Sequence, residues 1–136
     1  KLKSFLSRRK KIYDIYLKKL NNYKNIVHII KKEENTIPSY HLVLFRIDFK
    51  KINSTKDLFF KYMKTKKIKL QFHYTPIYKF SLFKALKRNY NFKKTKIYSN
   101  NCFSLPIFYK LSDKEILYIV TMIKNYIENR MGLNEK

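Results

Sequence analysis

The sequence predicts an α+β domain, a small sheet covered by helices. The first observation behind this is a pair of amphipathic stretches of helical period, one near each end of the 136-residue chain. The second is a set of short apolar or alternating runs between them, bounded by Pro, Asn and Ser. The third is composition. With 45% hydrophobic and 17% aromatic side chains, a chain of one domain's length can fill a core despite 30% charged residues.

Residues 1–22 read as a helix, because Leu2, Phe5, Leu6, Ile12, Tyr13, Tyr16 and Leu20 recur three and four apart among Lys and Arg. The Asn21-Asn22 pair is expected to close it in left-handed geometry. Such a basic helix can lie on a membrane or on a neighbouring domain, and the residues leave both open. Ile26 to Ile30 is a short apolar piece, followed by a polar connector that Pro38 ends. His41 to Asp48 is apolar on both faces and predicts a strand inside a sheet with both faces covered. Ser54 and Asp57 resemble a capping pair for a helix to about Lys66, burying Leu58, Phe59, Tyr62 and Met63.

Ile68, Leu70 and Phe72 alternate with Lys69, Gln71 and His73, the pattern of a half-buried strand that Thr75-Pro76 breaks. A short helix over residues 81–89 and a weaker one over 93–100 follow. Phe103–Phe108, interrupted by Pro106, reads as an edge strand or an extended connection. The last helix is the clearest. Ser112 and Glu115 form a capping box, Ile116, Ile119, Val120, Ile123 and Ile127 line one face, and Gly132 lies past its end.

Single residues exclude whole classes of chemistry. Gly132 is the only glycine, so no glycine-rich phosphate loop is present. Cys102 is the only cysteine, which excludes an internal disulfide and any multi-cysteine zinc site. No apolar run approaches the ~18 residues of a membrane span. The chain starts at Lys1 with no apolar leader, so it is expected to begin inside a longer product or to have been processed.

The net charge of +23 points to nucleic acid, but the composition argues otherwise. Lys, Asn, Ile, Tyr and Phe, all encoded by AT-rich codons, make up more than half the chain, and only five arginines occur. Nucleic-acid readers favour Arg for its bidentate fork. A solvated lysine coat produced by base-composition drift accounts for the charge.

His28, His41 and His73 lack metal-site spacing, and Cys102 sits in an apolar stretch that suits packing. Carboxylates are too scattered for a paired acid–base site. One segment stands apart: Gln71-Phe72-His73-Tyr74-Thr75-Pro76-Ile77-Tyr78. A strand delivers a His-Tyr pair to a proline-stiffened loop, and polar-tipped rings there suit a ligand mouth. An ordinary strand-to-helix turn would look the same, and the residues alone leave the two equal.

Several anchors, in order, carry a resemblance. They are Lys1–Tyr13 with its Arg8-Arg9 pair, Ser39-Tyr40-His41-Leu42 leading to Phe45-Arg46-Ile47-Asp48, and His73-Tyr74-Thr75-Pro76-Ile77-Tyr78. Phe103-Ser104-Leu105-Pro106-Ile107-Phe108 and Leu111-Ser112-Asp113-Lys114-Glu115 complete the set. Together they resemble the C-terminal domain of DegT/DnrJ/StrS-type nucleotide-sugar aminotransferases, which depend on pyridoxal phosphate. The loop with Pro76-Ile77-Tyr78 is further similar to members that aminate C4 of a UDP-linked 4-keto-6-deoxy-N-acetylhexosamine in the pseudaminic-acid pathway. Relatives usually carry glycine where this chain has Lys67.

The resemblance implies a fold-type I small domain with a mainly antiparallel sheet. Residues 1–24 would be the helix from a missing large domain, and residues 25–136 the small domain itself. It implies pyridoxal phosphate held mainly by the large domain, a glutamate amine donor, a nucleotide-sugar acceptor and a cytoplasmic homodimer, with no membrane and no specific nucleic acid. His73, Tyr74, Pro76 and Tyr78 map to the substrate-facing loop, and no catalytic or cofactor-binding residue is assigned. The 136-residue chain alone is expected to be inactive. Two rival expectations are a lysine-rich RNA-binding protein of an AT-rich organelle ribosome and a catalytically dead interaction module.

Overall fold

A computed structural model describes residues 1–30, 33–83 and 91–132. Among them the helices are α1 (Leu2–Leu20), α2 (Lys56–Thr65), α3 (Lys93–Asn101) and α4 (Asp113–Arg130). The strands are β1 (Val27–Ile29), β2 (Val43–Ile47), β3 (Gln71–Phe72) and β4 (Cys102–Leu105). They form one sheet in the order β1-β2-β4-β3, antiparallel throughout. The α+β class and the long first helix expected from the sequence are both present.

Period decides what is buried. Val43, Phe45 and Ile47 alternate along β2 and enter a core shared with α1, α2 and α4. Phe103 of β4 is 0% exposed, and the rings of Phe45, Phe49, Phe59 and Phe60 surround it with centroids 5.3–6.5 Å away. From α1, Ile12, Tyr13, Tyr16 and Leu20 join the same core. The Tyr16 hydroxyl donates to the Pro106 carbonyl at 3.0 Å, so its polar tip is satisfied where its ring is buried.

α4 starts as its sequence dictates. Ser112 Oγ accepts from the Glu115 N–H at 3.2 Å, and Glu115 accepts from the Ser112 N–H at 2.7 Å. Arg8 and Lys11 of α1 reach Asp113 at 2.6 and 2.8 Å, and Arg8 also donates to the Leu111 carbonyl. The first helix is thereby pinned to the start of the last.

Several local expectations are corrected. Asn21 is right-handed (φ −60°), because the chain tightens into a 3-10 turn over Asn21–Tyr23 instead of a left-handed cap. β2 is interior, but only one of its faces is fully buried, since Leu44 and Arg46 are half-exposed. Thr55, not Ser54, caps α2, accepting from Leu58 N at 3.3 Å, while Ser54 pairs with the Tyr126 hydroxyl. That one-residue shift turns Leu58 outward to 42% exposure. Only Gln71 and Phe72 of the expected 68–73 strand pair, and Phe72 is 56% exposed. β4 lies between β2 and β3 rather than at an edge, because Pro106 falls just beyond its last paired residue and removes no ladder bond. The helix expected over 81–89 is a 3-10 turn at Ser81–Phe83, and its remainder lies outside the described residues.

Lys67 explains the turn after α2. It has φ +59°, the conformation in which glycine carries no steric penalty, and its N–H bonds the Lys64 carbonyl at 3.0 Å. A side chain there costs about 1 kcal/mol. Lys67→Gly is expected to raise the unfolding free energy by about 0.5 kcal/mol, net of the looser unfolded chain. The check is a higher urea midpoint at unchanged m-value.

Candidate functional site

β3 is an edge strand, and the chain leaves it straight into the His-Tyr segment. Tyr74 adopts φ +53°, and its ring stands 89% exposed. A tyrosine held in left-handed geometry yet open to solvent is a strained presentation rather than a packing solution. The His73 ring lies 6.3 Å from the Tyr74 ring in edge-to-face geometry. His73 Nε2 is buried and makes no hydrogen bond among the described residues. Burial holds this imidazole below its ordinary pKa, so it is neutral at pH 7.

Pro76 is buried and anchors the loop, which continues as a 3-10 turn over Ile77–Lys79. Tyr78 is half-buried and stacks on Phe92 with centroids 4.7 Å apart and planes 12° apart. The fold therefore brings His73 and Tyr74 together, uses Pro76 as the foot of the loop, and turns Tyr78 onto the residue that precedes α3.

Two clefts flank this loop without including its four residues. The first, ≈ 730 Å³, runs along β3, β4 and the start of α4, with His41, Lys67, Gln71, Ser104, Pro106 and Tyr118 among its walls. The second, ≈ 860 Å³, lies between the start of α2 and α3 and is walled by Arg46, Lys50, Lys56, Lys93 and Lys96, with Asp48 and Asp57. The sequence offered no separate signal for this second group, because single cations in so basic a chain read as coat. A half-buried arginine on an interior strand, Arg46, is the one feature that could have marked it.

His28 and His73 are expected to make the protein's stability acid-sensitive. Burial lowers both pKa values, and Arg46 and Lys51 add to the effect at His28. A histidine depressed in the folded state binds its proton preferentially in the unfolded one, so stability is full above the ordinary value of about 6.5 and falls below it. The melting temperature is expected to decline as pH drops from 7 toward 5. Replacing both histidines by Gln should flatten that decline in a thermal scan.

Pyridoxal phosphate needs a lysine amine, a carboxylate against its ring nitrogen and an apolar wall in one pocket. In the first cleft the carboxylate is Glu115, already engaged by Ser112. In the second the Lys56 amine donates to the Ser99 carbonyl, and the lining aromatic ring, Phe49, is buried in the core. Neither set fits the cofactor.

The fold and the residues of the chain have counterparts. Residues 1–124 match the profile of the DegT/DnrJ/EryC1/StrS aminotransferase family. Spr1654 from Streptococcus pneumoniae, assigned as a sugar aminotransferase, superposes in its apo form with a TM-score of 0.79 at 28% identity. That match covers 99% of this chain and 34% of Spr1654, which also has structures in PLP and PMP forms. Helicobacter pylori PseC, an aminotransferase involved in pseudaminic-acid biosynthesis, matches with a TM-score of 0.79 at 19% identity, over 92% of this chain and 33% of that one. TlmJ from Streptoalloteichus hindustanus gives 0.80 at 16% identity, over 94% and 33%. At 19% and 16% identity the likeness is one of fold. The chain thus spans about a third of the length of these solved relatives. No curated protein sequence matches it. With its profile match running from the first helix into the last, the chain belongs to the DegT/DnrJ/EryC1/StrS aminotransferase family.

Proposed function

We propose that the chain is the small C-terminal domain of a nucleotide-sugar aminotransferase, residues 1–24 being the connecting helix and 25–136 the domain proper. In this proposal His73, Tyr74, Pro76 and Tyr78 form the wall that orients a keto sugar, while pyridoxal phosphate is held by residues outside this chain. Glutamate supplies the amine. The acceptor is a UDP-linked 4-keto-6-deoxy-N-acetylhexosamine aminated at C4, the narrower choice suggested by the Pro76-Ile77-Tyr78 loop. The working enzyme is a homodimer, and the 136-residue chain alone neither holds cofactor nor turns over substrate.

The observation that carries this is the pairing of an outward Tyr74 at φ +53° with a neutral His73 whose buried Nε2 has no hydrogen-bond partner among the described residues. Tyr74 is open to a polar ligand with His73 beside it, and Pro76 limits the ordering entropy of the loop that bears them. Orientation of this kind matters because a small misplacement of a keto carbon costs orders of magnitude in rate. The RNA-binding alternative leaves the family match over residues 1–124 unexplained.

The test begins with the coding frame upstream of Lys1. A large domain bearing a Schiff-base lysine is expected, and a start codon close to Lys1 would overturn the proposal. In that longer enzyme, His73→Asn and Tyr74→Phe should slow the keto-sugar half-reaction about 10–100-fold and spare the glutamate half-reaction. Equal losses in both halves, or none, would remove the loop from the substrate wall. Visible cofactor absorbance in the isolated 136-residue chain would also count against it.

A further inference from the structure

We propose that the ≈ 860 Å³ cleft between the start of α2 and α3 is a diphosphate-binding site. Five cations, Arg46, Lys50, Lys56, Lys93 and Lys96, face one cavity against two carboxylates, Asp48 and Asp57. The ion pairs among the described residues join Arg8 and Lys11 to Asp113 and Lys10 to Asp14. All three use cations of α1, so none of the five cleft cations forms a salt bridge among the described residues.

Arg46 and Lys56 are not part of a solvated coat. Both are half-buried, Arg46 on interior strand β2 and Lys56 in the first turn of α2. Lys56 donates to the Ser99 carbonyl and sits 4.8 Å above the Phe72 ring. Burial first, and then Lys79, holds its amine below the ordinary lysine pKa, although Asp57 works in the opposite direction. Holding cations in excess of carboxylates partly out of water costs free energy, and a bound polyanion lowers that cost. Arg46 supplies a planar fork and the lysines supply point charges, a set that matches the several oxygens of a diphosphate.

The cleft and the His-Tyr loop are contiguous. Phe72, under Lys56, immediately precedes His73. Tyr78 stacks on Phe92, the residue before α3, and α3 carries Lys93 and Lys96. A diphosphate in the cleft would place whatever it is esterified to beside the loop. Its assignment to the nucleotide sugar rests on the function proposed above, whereas the anion site itself does not.

The experiment is a calorimetric titration of the chain with inorganic pyrophosphate and with UDP, at ~0.15 M ionic strength where diffuse attraction is screened. Saturable one-to-one binding is expected. The exposed pair Lys93→Gln/Lys96→Gln should weaken it by about tenfold or more. Lys18→Gln/Lys19→Gln, which removes the same charge from α1, should change it by less than about twofold. Arg46→Gln/Lys56→Gln should act like the α3 pair, and the exposed pair keeps the test decisive if that core-side variant unfolds. Equal losses in the α1 and α3 variants, or no saturation, overturn the site. So does tighter binding of a short single-stranded RNA that the α3 variant leaves unchanged, because it assigns the charge to a general coat. Pyrophosphate binding that depends on Lys93 and Lys96 without UDP binding supports an anion site but detaches it from the nucleotide. The half-reaction test above is read separately, so loss of either result leaves the other interpretable.

Discussion

Phe103→Ala is expected to remove a large share of the chain's stability and to lower its urea midpoint steeply. The ring is fully buried on an interior strand, and four other aromatic rings pack around it. Truncating a buried phenylalanine to alanine costs about 3–5 kcal/mol in transfer and cavity terms. A domain of this size has about 5–15 kcal/mol in total. The site also resists collapse, because Phe45 and Phe103 are paired across the β2–β4 ladder and cannot both move into the void. The check is a urea titration followed by circular dichroism, with Phe103→Leu retaining most of the stability. Equal stability of the Ala and Leu variants would show that this aromatic cluster is not the centre of the core.

Removing residues 1–24 is expected to abolish cooperative unfolding of the remainder. Ile12, Tyr13, Tyr16 and Leu20 of α1 belong to the same buried cluster as the sheet, and α1 packs along α4. Its loss uncovers a few hundred Å² of apolar surface, worth about 5–10 kcal/mol at roughly 25 cal/mol per Å². It also strips the Tyr16 bond from the Pro106 carbonyl and the Arg8 and Lys11 contacts from the head of α4. The expected product binds a hydrophobic dye and melts without a sharp transition. A sharp transition in residues 25–136 alone would make the first helix an accessory. Leu2 and Phe5, at the start of α1, remain exposed and lie outside this effect.

The elements legible in the sequence are those in which local and tertiary demands agree. α4 was readable because its capping box and its isoleucine face point to the same boundaries. β2 is readable as interior from its apolar run, but only the fold shows that Arg46 within it lines a cleft. β4 reads as an edge strand or an extended connection, because sequence cannot say whether a proline falls inside a ladder or one residue past it, and the fold places it inside the sheet. The His-Tyr segment is legible as a strand running into a proline-stiffened loop, whereas the left-handed Tyr74 and the stacking of Tyr78 on Phe92 have no signal in residue type or spacing. Lys67 is the converse case. Lysine in place of the relatives' usual glycine argues against a tight turn, yet the backbone there is left-handed all the same.

Cys102 lies on β4 with β2 and β3 on either side, 3% exposed. Burial raises its pKa, and Arg46 and Lys56 only partly counter that, so thiolate is scarce while the sheet is closed. A thiol reagent reaches this sulfur only when the packing over its face of the sheet opens. Its rate of alkylation is therefore a clock for local opening around β4, one that needs no engineered label and runs in the unaltered protein.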